Sequence, residues 1–186
     1  DLRRELNRQE QADLSGQPAP VSESMQHSIA HLQADCERLQ RAIEDHFDQH
    51  PPLREQRELL QSIDGIGPVS ADRMLCLLGR HRFRSARQAA AFAGLVPKLY
   101  ESGSSVRKRS KMGTHGEGAL KATLYMAAVS ASRHNELLRR HYQGLLAAGK
   151  TKKCALGALM RKLLHIAFGV LKNGKPYDPH FAATRA

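Results

Sequence analysis

Residues 102–113 read Ser-Gly-Ser-Ser-Val-Arg-Lys-Arg-Ser-Lys-Met-Gly, so four serines share one stretch with Arg107, Lys108, Arg109 and Lys111. A hydroxyl held among fixed cations can hydrogen-bond to a nucleic-acid phosphate, or it can attack one. Attack on a phosphodiester requires neutralised charge on the non-bridging oxygens and a positioned nucleophile, which clustered Lys and Arg favour. It also requires that the serine be activated. The stretch holds no His or acid to act as base, and His115 is close by in sequence. Ser and Gly are also ordinary turn formers, so local chemistry leaves both roles open.

The charge around this stretch narrows its partner. Residues 1–64 carry 7 Lys+Arg against 13 Asp+Glu, a net of −6, whereas residues 65–186 carry 22 against 5, a net of +17. So segregated a charge is the footprint of a polyanion binder, because each phosphate neutralised releases condensed counterions. Cys36, Cys76 and Cys154 are far apart and odd in number, which argues for reduced packing residues and against a disulfide frame or a zinc site. No signal peptide and no apolar run of about 18 residues is apparent, so neither membrane insertion nor secretion is expected and a cytoplasmic protein is. The chain opens Asp-Leu-Arg without an initiator Met and is expected to be a piece of something longer.

The elements that must position the serine stretch are helices. Met25, Ile29, Leu32, Cys36, Leu39 and Ile43 alternate steps of four and three, the seam of a coiled coil, and Pro51-Pro52 closes that helix. The stretch from Leu14 to Pro20 breaks any helix begun at Leu2 and Leu6. Leu53–Ser62 is a further helix, and Val69–Leu78 another, with Pro68 suited to its first turn. Between them Ile63-Asp-Gly-Ile-Gly-Pro68 makes a tight turn whose backbone N–H groups can face a phosphate, or which simply packs against the core. Gly65 and Gly67 give it the look of a helix-hairpin-helix motif. Ser85 can cap a helix over 86–93 that Gly94 and Pro97 stop. Glu117–His134 is Ala-rich, with Leu120, Leu124, Ala127, Ala128 and Ala131 allowing close helix approach. Asn135 caps a helix to Ala148, and a stripe from Leu156 to Leu171 makes a last, buried one that Asn173-Gly174 ends. No alternating strand pattern appears, so the chain reads as all-α.

Taken in order, Leu60–Ala71, Arg82–Pro97, Ser102-Gly, Ser110-Lys-Met-Gly113 and Leu120–Ala128 resemble the C-terminal transposase domain of insertion sequences 110, 116 and 902. The resemblance covers about residues 59–178, and its Ala-Gly-Leu-Val-Pro and Ser-Lys-x-Gly pieces are specific. It implies DNA recombination and transposition through a serine that becomes covalently joined to the cleaved strand. It implies a structured bridge RNA as guide, and a RuvC-like N-terminal domain whose acidic residues hold divalent metal (Mg). Ser110 occupies the Ser-Lys-x-Gly position and inherits the nucleophile role. Arg107, Lys108, Arg109, Lys111 and Lys121 then bind the scissile phosphate or its neighbours. The acidic domain has no counterpart here, and Asp72, Glu101, Glu117, Glu136 and Asp178, the only acids after residue 64, do not cluster. No metal site and no cofactor is expected on this chain, and no full recombinase activity by itself.

The expected organisation is a helix and coiled-coil arm over 1–52 that makes a homo-oligomer, and a helical transposase domain over 53–178. Within the latter lie the helix-hairpin-helix at about 59–78 and the serine loop at about 98–116, and a tail follows over 179–186. The rival reading is a non-catalytic module that docks DNA or RNA backbone through the loop and Gly65-Ile66-Gly67 while the arm oligomerises. A purely structural dimerisation fragment is disfavoured by the +17 half.

Overall fold

The computed structural model describes residues 2–10, 18–102, 106–112 and 115–179, with backbone alone along the two strands from residue 98 on. It contains eight helices among those residues: α1 (Leu2–Glu10), α2 (Ala19–Gln49), α3 (Pro51–Gln61), α4 (Pro68–Arg80), α5 (Ala86–Phe92), α6 (Gly118–His134), α7 (Glu136–Ala147) and α8 (Lys152–Asn173). Between α5 and α6 lie two strands, β1 (Pro97–Ser102) and β2 (Val106–Met112). The class is all-α, as the helical periodicity predicts, with one antiparallel ribbon added. The chain divides into two compact units, Asp1–Arg54 and Glu55–Ala186.

In the first unit α1 packs along α2, and Gln33 Nε2 donates to Glu10 Oε1 at 2.9 Å. The seam expected from the four-three spacing is graded. Met25, Ile29, Leu32 and Cys36 are half-buried, whereas Leu39 and Ile43 stand open at 42% and 46% exposure. Phe47 is the one buried residue of α2. Ion pairs such as Arg38–Asp35, at 3.0 Å, line the exposed helix surface.

The second unit is built around α8, which packs against α4, α5, α6 and α7. Leu159, Leu163, Leu164 and Ala167 are fully buried there, because apolar side chains recur at helical spacing on this helix. By length and hydropathy α8 could also cross a bilayer, but half of its apolar window is buried inside the protein. The small residues of α6 do what their size permits: Ala127, Ala128 and Ala131 are buried, and Ala131 receives the α3–α4 turn at backbone contact. Gly65 has φ +98°, and a Cβ on it would come within 2.6 Å of the Ala131 nitrogen. Ile63 and Ile66, on either side, are buried.

Helix ends follow their local chemistry. Ser85 accepts from the Gln88 N–H, Asn135 from the Leu138 N–H and Thr151 from the Cys154 N–H, each satisfying a first-turn donor that the helix cannot. Gly174 ends α8 in the left-handed conformation. Asn135 is almost wholly buried, and its Oδ1 also accepts from the Tyr177 hydroxyl at 3.3 Å. The Tyr177 N–H in turn donates to Ser62 Oγ at 2.8 Å, so the segment after α8 straps back across the end of α3.

Candidate nucleic-acid interface

The serine stretch is a ribbon, where the sequence predicts a loop. Pro97 pairs with Met112, Lys98 with Lys111, Tyr100 with Lys108, Glu101 with Arg107 and Ser102 with Val106. Lys, Arg and Ser are weak strand formers and show no in-out alternation, so no local signal announces these strands. What makes them is pairing between segments that the fold brings side by side. Ser104, Ser105 and Gly113 lie outside the described residues.

The register is not regular. It shifts between Lys98 and Tyr100, so the single residue Leu99 on β1 faces two on β2, Arg109 and Ser110. That is a β-bulge, with the extra residue at Arg109–Ser110. Bulges bend a strand and re-aim a side chain, and they concentrate beside active sites. Arg107, Lys108, Arg109, Ser110 and Lys111 therefore lie together on β2, with Ser110 at its one irregularity.

The foot of the ribbon is fixed by two glycines. Gly94 has φ +69° and a Cβ there would overlap the His115 carbonyl oxygen, while Gly116 has φ +90° and a Cβ would fall 2.5 Å from the Ala93 carbonyl oxygen. The chain leaving α5 thus crosses the chain entering α6 at backbone contact, which only glycine allows at positive φ. Lys121, on the first turns of α6, donates from Nζ to the His115 carbonyl and locks the crossing. One of the cations expected to meet phosphate is therefore also part of the ribbon's anchorage.

Gly67 differs from Gly65. It caps α4 in extended conformation, and nothing lies within 4 Å of where its Cβ would be. The two glycines named together from sequence have separate places: Gly65 is packed on α6, while Gly67 faces open space at a helix N-terminus. Across the same turn, Arg57 Nε lies 2.7 Å from Asp72 Oδ1 in an ion pair that is largely out of water, joining α3 to α4. Glu136 pairs with Arg140 on α7. Among the described residues no three His, Cys, Asp or Glu side chains come together to hold a metal ion.

Further cations gather near the start of β1. A cavity of about 710 Å³ lies beside Pro97, with Leu95, Ala122 and Met160 in its lining and Lys121, Lys153 and Arg161 at its edge. Two histidines of the same unit are shifted, chiefly by burial. Burial, and then Arg161 and Arg87, push the His165 pKa down, and burial, then Lys162, do the same to His141. Sequence reasoning missed this face, because the cations that form it come from α6 and from two turns of α8.

An anion-seeking helical body that carries a basic, serine-bearing ribbon is the kind of structure a DNA-handling protein presents. The chain matches the transposase IS116/IS110/IS902 family over residues 57–143. It is 33% identical over 153 residues to the pilin gene-inverting protein of Moraxella lacunata, an alignment covering 81% of this chain and 48% of that protein. A probable family 20 transposase of Pseudomonas aeruginosa is 31% identical over 170 residues, covering 87% and 48%. The insertion element IS110 uncharacterized 43.6 kDa protein of Streptomyces coelicolor is 27% identical over 171 residues, covering 88% and 39%. The chain spans about half the length of the first two and less of the third.

Proposed function

We propose that this chain is the DNA-joining part of a transposase, in which the Ser110 hydroxyl attacks a DNA phosphodiester. In that step the Oγ–P bond forms as one P–O ester bond of the strand breaks, and the serine proton ends on the departing deoxyribose oxygen. The phosphoserine ester conserves the bond energy, so rejoining by the reverse attack needs no nucleotide cofactor. The observation that carries the reading is the place of Ser110: in the Ser-Lys-x-Gly motif, at the bulge of β2, among four cations of the same strand. Arg107, Lys108, Arg109 and Lys111 neutralise the phosphate oxygens, where charge-assisted donors do most. Lys121, which holds the ribbon's foot, is assigned to the same phosphate or its neighbours, and Gly67 at the open start of α4 suits a further phosphate of the backbone.

The partners that complete the reading are a structured guide RNA, a metal-holding acidic domain that precedes this segment in the whole protein, and further copies joined through α2. A cytoplasmic location goes with DNA as substrate. The test is to trap covalent protein–DNA adducts with the whole parent protein and its RNA. Ser110→Ala abolishes the adduct if Ser110 is the nucleophile, and an undiminished adduct eliminates the assignment. A binding-only module, the rival reading, yields no covalent product from the unmutated parent and leaves only salt-sensitive affinity.

A further inference from the structure

Tyr125 stands on α6 as a ridge between two recesses. On one side is the cavity of about 710 Å³ beside the ribbon's foot. On the other is one of about 900 Å³, running between α6, α7 and the start of α8. Tyr125 and Lys153 line both, so the recesses are consecutive stretches of one furrow. Its charged side chains, among the described residues, are of one sign. Lys121, Lys153 and Arg161 edge the first stretch, and Arg133, Arg139 and Lys152 join them along the second. No Asp or Glu among the described residues lines either stretch. The first turn of α8, capped by Thr151, adds its dipole with the same polarity.

The floor between these cations is apolar, and it carries aromatic faces. Tyr125 is 38% exposed, and Tyr142 lines the second stretch with Val129, Leu146 and Leu156. A double helix meets proteins through its phosphates and groove edges and keeps its base faces stacked inside, so an apolar recess with a tyrosine lip offers it little. An unpaired strand has both things the furrow answers: a phosphate every nucleotide for the cations, and free base faces that gain by leaving water to stack on an aromatic ring. The first recess falls in the volume range of pockets that enclose small organic groups, which suits an extruded base.

We infer that the Tyr125 furrow is a binding track for an unpaired nucleic-acid strand, its bases stacking on Tyr125 and Tyr142 and its phosphates held by the α6 and α8 cations. The inference rests on the nucleic-acid reading above and names the form of the substrate: beside the ribbon that handles the scissile phosphate, the strand is held open.

The test uses the 186-residue chain and fluorescence anisotropy with three labelled probes: an oligothymidylate and an oligouridylate of about 15 nucleotides, within the length such tracks engage, and a DNA duplex. Tyr125→Ala is expected to weaken single-strand binding roughly tenfold, as loss of one stacked base does, and to leave duplex affinity within about twofold, while Tyr125→Phe retains the unmutated affinity. Lys153→Ala should reduce the salt slope of single-strand binding by about 0.7, one phosphate's worth. Because Tyr125 is exposed, both tyrosine variants should fold, and an unchanged thermal melt verifies it. A stronger effect with the RNA strand or with the DNA strand names the source of the strand, and either supports the track. Equal losses for strand and duplex in Tyr125→Ala, no loss for either, or equally tight binding of a labelled oligoglutamate, would overturn it. If duplex binding persists while Tyr125→Ala changes nothing, the furrow alone is refuted. If no nucleic-acid probe binds even at low salt, the nucleic-acid reading fails with it.

Discussion

The two units of this chain are stabilised by opposite means. The arm, residues 1–54, carries 6 Lys+Arg against 10 Asp+Glu, and the body, residues 55–186, carries 23 against 8. Phe47 is the single buried apolar side chain among the arm's described residues, whereas α8 and its neighbours supply a continuous core to the body. Helices owe most of their stability in proteins to packing of an apolar face. A 31-residue helix that leaves Val21, Leu39 and Ile43 in water has little of that from its own unit. The body can therefore fold on its own core, while the arm's order is tied to α1 and to whatever else covers its stripe.

The sharpest way to break this contrast is to open the core of the body. Leu163 is fully buried, and Leu163→Ala is expected to cost about 2–5 kcal/mol of unfolding free energy, measured by guanidinium titration. A change below 1 kcal/mol, on the order of a surface substitution, would mean that α8 is not the centre of the core. Next is the ribbon's foot. Gly94→Ala places a methyl where the His115 carbonyl lies and forces a positive φ on alanine, at a cost of about 1–3 kcal/mol in the same titration. Gly118→Ala, with nothing near its Cβ position, serves as the silent control.

Breaking the Arg57–Asp72 pair by Asp72→Asn should cost about 1–2 kcal/mol, less than a fully buried pair because Asp72 retains 22% exposure. A hydrogen–deuterium exchange map should then show loosening at the α3–α4 turn first. On the arm, Arg38→Ala removes an exposed pair with Asp35 and should shift stability by no more than about 0.5 kcal/mol. Should it rival Asp72→Asn, the arm holds more of the chain's stability than its burial implies.

Proton linkage sharpens the same comparison. His165 and His141, both in the body, have pKa values lowered chiefly by burial, with nearby Arg and Lys adding to it. The unfolded chain then binds more protons than the folded one below about pH 6.5, the ordinary histidine value, so stability is full above that pH and falls as the pH is lowered through it. Tyr177 acts at the other end. Burial raises its pKa, so its contribution is full below about pH 10 and is lost as the pH rises beyond. Denaturation midpoints at pH 7 and pH 5.5 should differ, and His165→Gln should narrow the gap.

Helix ends were readable from the chain because capping is local. Ser85 and Asn135 can be named as caps from position alone, and both accept the expected first-turn N–H. The small residues of α6 announced a close approach without saying what approaches. The answer, Gly65, is 66 positions away from Ala131, and no periodicity carries that information. The ribbon was hidden for the same reason: its pairing is non-local and its residues prefer no strand. The recesses beside Tyr125 were hidden more deeply, since Lys121 and Arg139 are brought to either side of Lys153 only when three helices pack.

Where Gly94 and Gly116 touch, the polypeptide departs from the helical body and returns to it through a single doorway. Whatever is threaded out between those two points can be lengthened, shortened or rewritten while α5 and α6 stay where they are. The body thus behaves as a socket, and the serine-bearing strand pair as an exchangeable fitting, which allows the strands to diverge while the architecture beneath them is kept.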